Sequence, residues 1–266
     1  MRWNDYDLRR CSSCGLVFAD PLIVPPSLYE SVYEAPSDYG NFYKGYYSEA
    51  QKVSGRKFHI TWAWRHFFRL KNQKGQLVDI GCSTGVFMVA AQDRGWHTVG
   101  VEFSSRAAEI ARKTTGSEIL AGTIQECDFP PASFEAVTSW EVLEHLPDPV
   151  AFTRSVYKIL KPGGVWALST PNWRSRWEKT TTEPTRRPPF HLTFWTPDSL
   201  RKLLLGGGFT EILIREKPIA WQEEVGRRKW IYLPISLFRS FFLGQKGNRL
   251  FAIGKKPAEG KLEEKC

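Results

Sequence analysis

From residue 76 onward, apolar and polar positions follow two alternating rhythms. Short apolar runs rich in β-branched residues predict strands at 77–80, 97–102, 118–120 (with Gly122), 134–139, 165–169, 210–215 and 249–254. Between them, apolar residues recur at helical spacing. Val86, Phe87, Val89, Ala90 and Ala91 follow Gly85 and stop at Asp93-Arg94-Gly95, residues 106–113 form a second helix, and Phe152, Val156, Ile159 and Leu160 mark one face of a third. Lys161-Pro162-Gly163-Gly164 reads as a turn that ends that helix, while Thr196 and Pro197 cap and start another that closes at Gly206. Seven strands interleaved with helices predict an α/β fold. The sheet is Rossmann-like, doubly wound and mostly parallel, with helices on both faces and a small N-terminal extension.

The N-terminal third has a different texture. Residues 1–38 carry Cys11 and Cys14 in RCSSCGLVF, followed by Pro21, Pro25 and Pro26. Two thiolates two residues apart with a glycine at the turn make one knuckle of a zinc ribbon. A tetrahedral site needs four ligands, and Cys82, Cys127 and Cys266 lie at unrelated spacings, so the expected metal site is incomplete. Residues 39–74 are dense in aromatics, with Phe58, Trp62, Phe67 and Leu70 near helical spacing. They predict a helix over 52–71 that packs an aromatic stripe on the α/β domain or caps its pocket, with His59 and His66 as surface or packing histidines. The α/β domain runs over 75–256, and 257–266 is a flexible tail.

Composition narrows the setting. A 42% hydrophobic content supports a packed core, and an odd count of five cysteines argues for a reducing, cytoplasmic location rather than a disulfide framework. No apolar run reaches the roughly 18 residues of a membrane span, and 230–243 is broken by Pro234 and Arg239. That stretch reads as a helix whose aromatics could touch a membrane surface. The net charge of +9 would suit a nucleic acid or an acidic substrate, but the tail supplies part of it through Lys255, Lys256, Lys261 and Lys265.

Chemistry concentrates where the first strand ends. In LVDIGCSTGVF, Gly81 and Gly85 bracket a tight loop between a strand and a helix N-terminus, where backbone N–H groups can approach a ligand. Glu102 ends the next strand about 20 residues on, where an acid accepts hydrogen bonds from the ribose hydroxyls of an adenosine cofactor. To this point a dinucleotide dehydrogenase would fit as well.

SWEVLEHLPDP after the fourth strand and KPGG before the fifth separate the possibilities. With VDIGCSTGVF, VGVE and FPPASFEAV, they resemble class I S-adenosylmethionine-dependent methyltransferases, in the ubiquinone O-methyltransferase-like branch. The opening CSSCGLVFADP resembles the half-ribbon that precedes this domain in some relatives. The resemblance implies S-adenosyl-L-methionine as cofactor. It puts Asp79, Gly81, Cys82, Ser83 and Gly85 around the methionine portion and Glu102 on the ribose. Thr123 and Ile124 fall at the adenine, and Trp140 and Glu141 beside the sulfonium. Ser83 replaces the middle glycine common in the family, and Glu135 replaces an aspartate at the fourth strand's entry.

Methyl transfer still requires removal of the acceptor's proton, for which His145 and His191 are the candidates, each open to a purely structural role. Glu141, Glu144 and His145, at i, i+3 and i+4, would share one helical side and could hold a divalent ion or simply orient the loop. Residues 172–189 interleave Arg174, Arg176, Lys179, Arg186 and Arg187 with Trp173 and Trp177. They read as a mobile lid with solvated arginines, or arginines that meet an acid on the acceptor. Nucleic acid is not the expected partner, because SWEVLEHL stands where amino-methylating enzymes of nucleic acids carry an Asn/Asp-Pro-Pro-aromatic element. The expected activity is methyl transfer to a small-molecule acceptor, most readily at oxygen. Carbon or nitrogen methylation of a sugar or natural product, or a degenerate cofactor-binding subunit, are the alternatives. The sequence does not fix the oligomeric state.

Overall fold

A computed structural model describes residues 2–3, 5–23, 28, 67, 74–181, 184–217 and 247–258. Most of the aromatic segment 39–74, the stretch 230–243 and Cys266 lie outside these residues. Among them, no helix is long and apolar enough to cross a membrane.

The main sheet has seven strands: β4 (Gln76–Ile80), β5 (His97–Glu102), β6 (Ile119–Ala121), β7 (Phe134–Trp140), β8 (Leu160–Pro171), β10 (Thr210–Lys217) and β11 (Arg249–Lys255). Their order is β10-β11-β8-β7-β4-β5-β6, with β4 to β8 parallel and β11 inserted antiparallel between β8 and the edge strand β10. The chain therefore winds outward from β4 in one direction and from β7 in the other. The crevice beyond the carboxyl ends of these two strands is where such sheets bind ligands.

Alternation along the buried strands sends neighbouring residues to opposite faces. Val78, Val137, Trp166 and Leu168 pack on one face with Phe152, Val156 and Ile159 of α3 (Pro149–Ile159) and Leu200 and Leu204 of α5 (Pro197–Gly206). Leu77, Ala136, Ala167 and Phe251 pack on the other with Phe87, Ala90 and Ala91 of α1 (Val86–Gln92). Phe67 from the aromatic segment joins this second face against Phe87 and Trp96, with ring centroids 6.1 and 5.8 Å away. Both faces of the sheet are thus covered, as the near-continuous apolar strands require. The α2 helix (Ser105–Thr115) is capped by Ser104 and packs Ala108 and Ala111 on Cys82 and Met88. Asp148 caps α3, and Thr196 with Ser199 forms the capping box of α5.

One boundary differs from the sequence pattern. The third helix stops at Ile159, and Leu160 already pairs with Phe134 as the start of β8. Lys161-Pro162-Gly163-Gly164 is therefore an irregularity within the strand rather than a turn before it. Gly163 takes φ +74°, and its N–H donates to the carbonyl of Lys256. Lys161 pairs with Glu135, which also accepts the Gln76 N–H at 2.6 Å. The acid that departs from the family pattern stitches three central strands together at their amino ends, away from the crevice.

A second sheet, β1-β2-β3-β9, was not legible in the sequence. It comprises β1 (Arg2–Trp3), β2 (Tyr6–Arg10), β3 (Val17–Asp20) and β9 (Thr193–Phe194), all antiparallel. The N-terminal extension is thus joined to the α/β domain through a strand from its late segment. Cys11 and Cys14 sit in the β2–β3 turn, which closes through the Gly15 N–H to the Cys11 carbonyl. Among the described residues, no third metal-ligating side chain clusters with them.

Trp166 and Trp195 are the largest fully buried side chains among the described residues, and the Trp166 indole N–H donates to Ser139 Oγ at 3.0 Å. Trp166→Phe should lower unfolding stability by about 1–3 kcal/mol, because the serine hydroxyl loses its partner and the core loses volume. Urea titration followed by circular dichroism measures it, and a loss below about 0.5 kcal/mol would contradict this account of the core.

Candidate active site

The loop after β4 is organised by β5. The Gly81 and Cys82 N–H groups donate to the Val101 carbonyl at 2.8 and 3.1 Å, and the Gly85 N–H donates to the Cys82 carbonyl. Ser83, in the left-handed region at φ +50°, donates its N–H to Glu102 Oε2 at 2.8 Å. Glu102 Oε1 accepts the Ser104 N–H at 2.9 Å. The loop's donors are therefore largely consumed within the protein, which differs from the N–H cradle expected from the glycine spacing. The two glycines also have separate reasons. A Cβ on Gly81 would lie 2.4 Å from Val142 Cγ2, whereas one on Gly85 would lie 2.4 Å from Thr115 Cγ2 of α2. Gly81 lets the turn after β7 approach the loop, and Gly85 lets α2 approach α1.

Two buried acids flank the loop. Asp79 accepts the Thr138 hydroxyl at 2.6 Å, yet burial and the nearby Glu102 lift its carboxyl to about 8. Burial also raises Glu102, against the opposing pull of its backbone donors. Cys82 points its thiol into the cluster with Met88 and Ile119, and burial pushes that thiol far up, so only its backbone faces the loop. After β6, the Thr123 N–H and hydroxyl both donate to Glu126 Oε2, at 2.7 and 2.8 Å, and Ile124 is buried in the core. Trp140 ends β7, stacked on Phe251 and edge-on to Phe87. Its indole N–H is buried without a partner among the described residues.

The turn after β7 corrects the helical-face reading. Glu141 has φ +54°, and only Leu143–His145 form a 3-10 turn. Glu141 therefore lies outside the turn that carries Glu144 and His145, and the three do not share one helical side. It accepts the Ser169 hydroxyl at 2.7 Å and pairs with Arg249 at 3.3 Å. Burial pushes its carboxyl up, but Arg249 and Ser169 outweigh that and hold it below the ordinary value. Glu144 is buried with Oε2 accepting the Thr170 hydroxyl at 3.0 Å, and burial together with the nearby Glu141 holds its carboxyl well above the ordinary value.

His145 and His191, 46 positions apart, come together edge to face with ring centroids 4.8 Å apart. His145 Nδ1 lies 2.8 Å from the Phe190 carbonyl. A carbonyl only accepts, so Nδ1 carries the proton and Nε2 carries the lone pair. Burial lowers both histidines, His191 the more strongly. His191 is 7% exposed, whereas the His145 side chain keeps 25% of its surface. The ligand atoms of Glu144, His145 and His191 lie within 4.8 Å of one another, close enough to share an ion.

Segment 172–189 also departs from expectation where it is described. Arg187 is buried over the Trp173 ring and donates to the carbonyls of Glu178, Thr181 and Arg186. Arg186 pairs with buried Glu178 at 3.1 Å. These two arginines are structural members of a packed segment, not solvated groups on a lid. Arg174 does pair at the surface, with Asp198. Glu178 and Arg249 carried no sequence signal, because each acquires its partners only through folding.

Residues 56–213, more than half of the chain, match the model of the methyltransferase domain family. Among curated relatives, the chain is 37% identical over 103 residues to a ubiquinone biosynthesis O-methyltransferase of Idiomarina loihiensis, covering 36% of this chain and 42% of that protein. It is 28% identical over 144 residues to a demethylmenaquinone methyltransferase of Listeria welshimeri, covering 48% and 61%. The chain thus spans about half the length of the curated relatives it matches. Of solved structures, a phosphoethanolamine N-methyltransferase 2 of Haemonchus contortus, in complex with S-adenosyl-L-methionine, superposes with TM-score 0.63 at 18% identity over 91% of this chain and 62% of the other. A SAM-dependent methyltransferase of Thermotoga maritima superposes with TM-score 0.61 at 21% identity, over 85% and 98%. These structural likenesses bear on the fold.

The residues present fit S-adenosylmethionine better than a dinucleotide. A loop with internally satisfied donors and two buried carboxyl groups is unfavourable for a pyrophosphate but suits a ligand bearing a sulfonium and an ammonium. An indole face near such a cation adds attraction. On the family match, the sheet order and this electrostatic fit, the chain belongs to the methyltransferase domain family, a class I domain whose cofactor is S-adenosylmethionine.

Proposed function

We propose that the chain transfers a methyl group to a hydroxyl of a small-molecule acceptor, with His145 as general base. The observation that carries this reading is the contact between Gly81 and Val142. It seats the turn bearing His145 directly against the cofactor loop. Asp79, Gly81, Ser83, Glu102 and Trp140 would hold the cofactor, which supplies an electrophilic methyl on a positively charged sulfur. Glu102 retains lone pairs beyond those taken by Ser83 and Ser104, enough for ribose hydroxyls. His145 presents an unprotonated Nε2 from a partly open position, which suits removal of a proton from an attacking hydroxyl. His191, neutral and more deeply buried, acts as the wall against which that ring stands. The similarity to the O-methyltransferase of Idiomarina loihiensis supports oxygen as the methylated atom.

The base assignment has a kinetic signature. With labelled S-adenosylmethionine and a panel of phenols and catechols, label should appear on compounds with a free hydroxyl and not on their O-capped analogues. His145→Ala should cut kcat by roughly 100-fold or more while leaving affinity for S-adenosylhomocysteine within about twofold. Because burial holds His145 below 6.5, kcat/KM should be level near neutrality and fall only on the acid side of that value. Equal turnover by His145→Ala would remove this residue as the base.

Cofactor binding should itself depend on pH. Burial keeps Asp79 protonated up to about 8, and a cationic ammonium favours the ionised form. Binding below that pH must therefore release a proton, and affinity for S-adenosylhomocysteine should tighten between pH 6 and 8, by up to about tenfold per pH unit. Isothermal titration in buffers of different ionisation enthalpy reads both affinity and proton release. Asp79→Asn should flatten the profile, and a flat profile in the parent protein would show that Asp79 does not meet the cation.

A further inference from the structure

The β2–β3 hairpin ends in a strand whose buried residues, Val17 and Ala19, are separated by half-buried Phe18. Its outer edge does not face solvent. Val17 pairs with Phe194, Phe18 with Thr193, and the Ala19 N–H donates to the Leu192 carbonyl at 2.8 Å. Val17 also packs with Phe194 and Trp173 in a small apolar cluster. From the α/β side, Lys202 of α5 donates to the Ser13 carbonyl at 2.7 Å and anchors the hairpin's turn.

The segment gripped by this edge is the one that aims the acceptor-side histidines. The Leu192 N–H donates to the Glu144 carbonyl at 2.8 Å, and the Thr193 hydroxyl donates to the Leu143 carbonyl at 3.0 Å. The Trp195 indole holds that same hydroxyl at 2.9 Å. Two residues earlier, the Phe190 carbonyl accepts from His145 Nδ1, and His191 supplies the ring that His145 stands against. Hydrogen bonds thus run without a break from Ala19 through Leu192 to the turn that bears His145.

We propose that the N-terminal hairpin is a positioning element for catalysis: through Val17 and Ala19 it holds residues 190–194 so that the Phe190 carbonyl fixes His145 in the Nδ1–H tautomer. A detached hairpin would leave the 190–194 segment tied on its other sides, to the Arg187 carbonyl, to Trp173 and to residues 143–145 and 195, but without the strand that fixes its register. The Phe190 carbonyl would then drift, and His145 would relax toward the Nε2–H form that imidazole prefers in water, which offers no lone pair at Nε2. This inference rests on the reading of His145 as the base, but its central observable does not require turnover.

The test uses the full chain labelled with 15N-histidine, in which long-range 15N–1H correlations report the ring nitrogen that carries the proton. The parent protein should show His145 as the Nδ1–H form. Val17→Ala should raise the Nε2–H fraction about threefold or more, and Ala19→Pro, which deletes the donor to Leu192, should raise it further. Trp166→Phe is the control for general destabilisation and should leave the tautomer unchanged. Affinity for S-adenosylhomocysteine should stay within about twofold in both hairpin variants, with kcat falling and the KM for cofactor held. A parental tautomer in folded Val17→Ala and Ala19→Pro overturns the proposal, and Val17→Ala decides alone if Ala19→Pro does not fold. Failure of every acceptor to be methylated would sink the base assignment while leaving the tautomer result to stand or fall separately.

Discussion

The carboxylate of Glu102 ties two segments that would otherwise diverge, the loop after β4 and the start of α2. By accepting the Ser83 and Ser104 N–H groups, it sets the left-handed backbone of Ser83 and uses a donor that a glycine-rich loop would offer to a phosphate. The consequence is electrostatic. With Asp79 buried beside it, the crevice holds two carboxyl groups and few open donors, so it favours a cationic ligand over a polyanion. The same strand–loop–helix geometry that binds pyrophosphates in other doubly wound sheets is here turned to the opposite charge by where its N–H groups go.

The second constraint is steric and links the loop after β4 to the turn that bears His145. Val142 lies so close to Gly81 that only glycine fits, and the approach depends on the left-handed backbone of Glu141. A non-glycine residue at positive φ is strained by about 1 kcal/mol or more and persists where its surroundings fix it. Here the Ser169 hydroxyl and Arg249 hold the Glu141 side chain, and its N–H donates to the Ser169 carbonyl. Strain in the backbone and contacts from β8 and β11 together set where His145 emerges.

How much of this was legible in the sequence follows from the range of the interactions involved. The strands of the main sheet, α1, α2, the apolar face of α3 and the capped start of α5 are local patterns of spacing and capping, and the structure reproduces them. The limit of the third helix was misjudged because Leu160 continues the apolar period, while its pairing with Phe134 across the sheet has no local trace. Glu102 stood out because the distance from loop to strand end is fixed by one helix. The pairing of His145 with His191, the tie of Glu178 to Arg186 eight positions on, and the strand formed by Thr193 and Phe194 all depend on partners that no local spacing pattern marks. Arg186 and Arg187 were misread for the same reason, since charge in a loop looks solvated until its buried partners are known.

The surroundings of the two histidines therefore differ in kind from those of the loop after β4. Glu141, Glu144, Glu178, Arg186, Arg187, Arg249 and the two histidines form a polar interior where apolar packing would give equal or greater stability. Removing such charges from water costs several kcal/mol each, and pairing at 3.1–3.3 Å returns much of that only when the geometry is kept. A network of this kind has few alternative arrangements, because a shift of one member leaves another buried and unpaired. Its effect is to hold residues 172–181 and 184–195 in one register against the 3-10 turn, and so to fix where the His145 ring stands relative to the loop after β4.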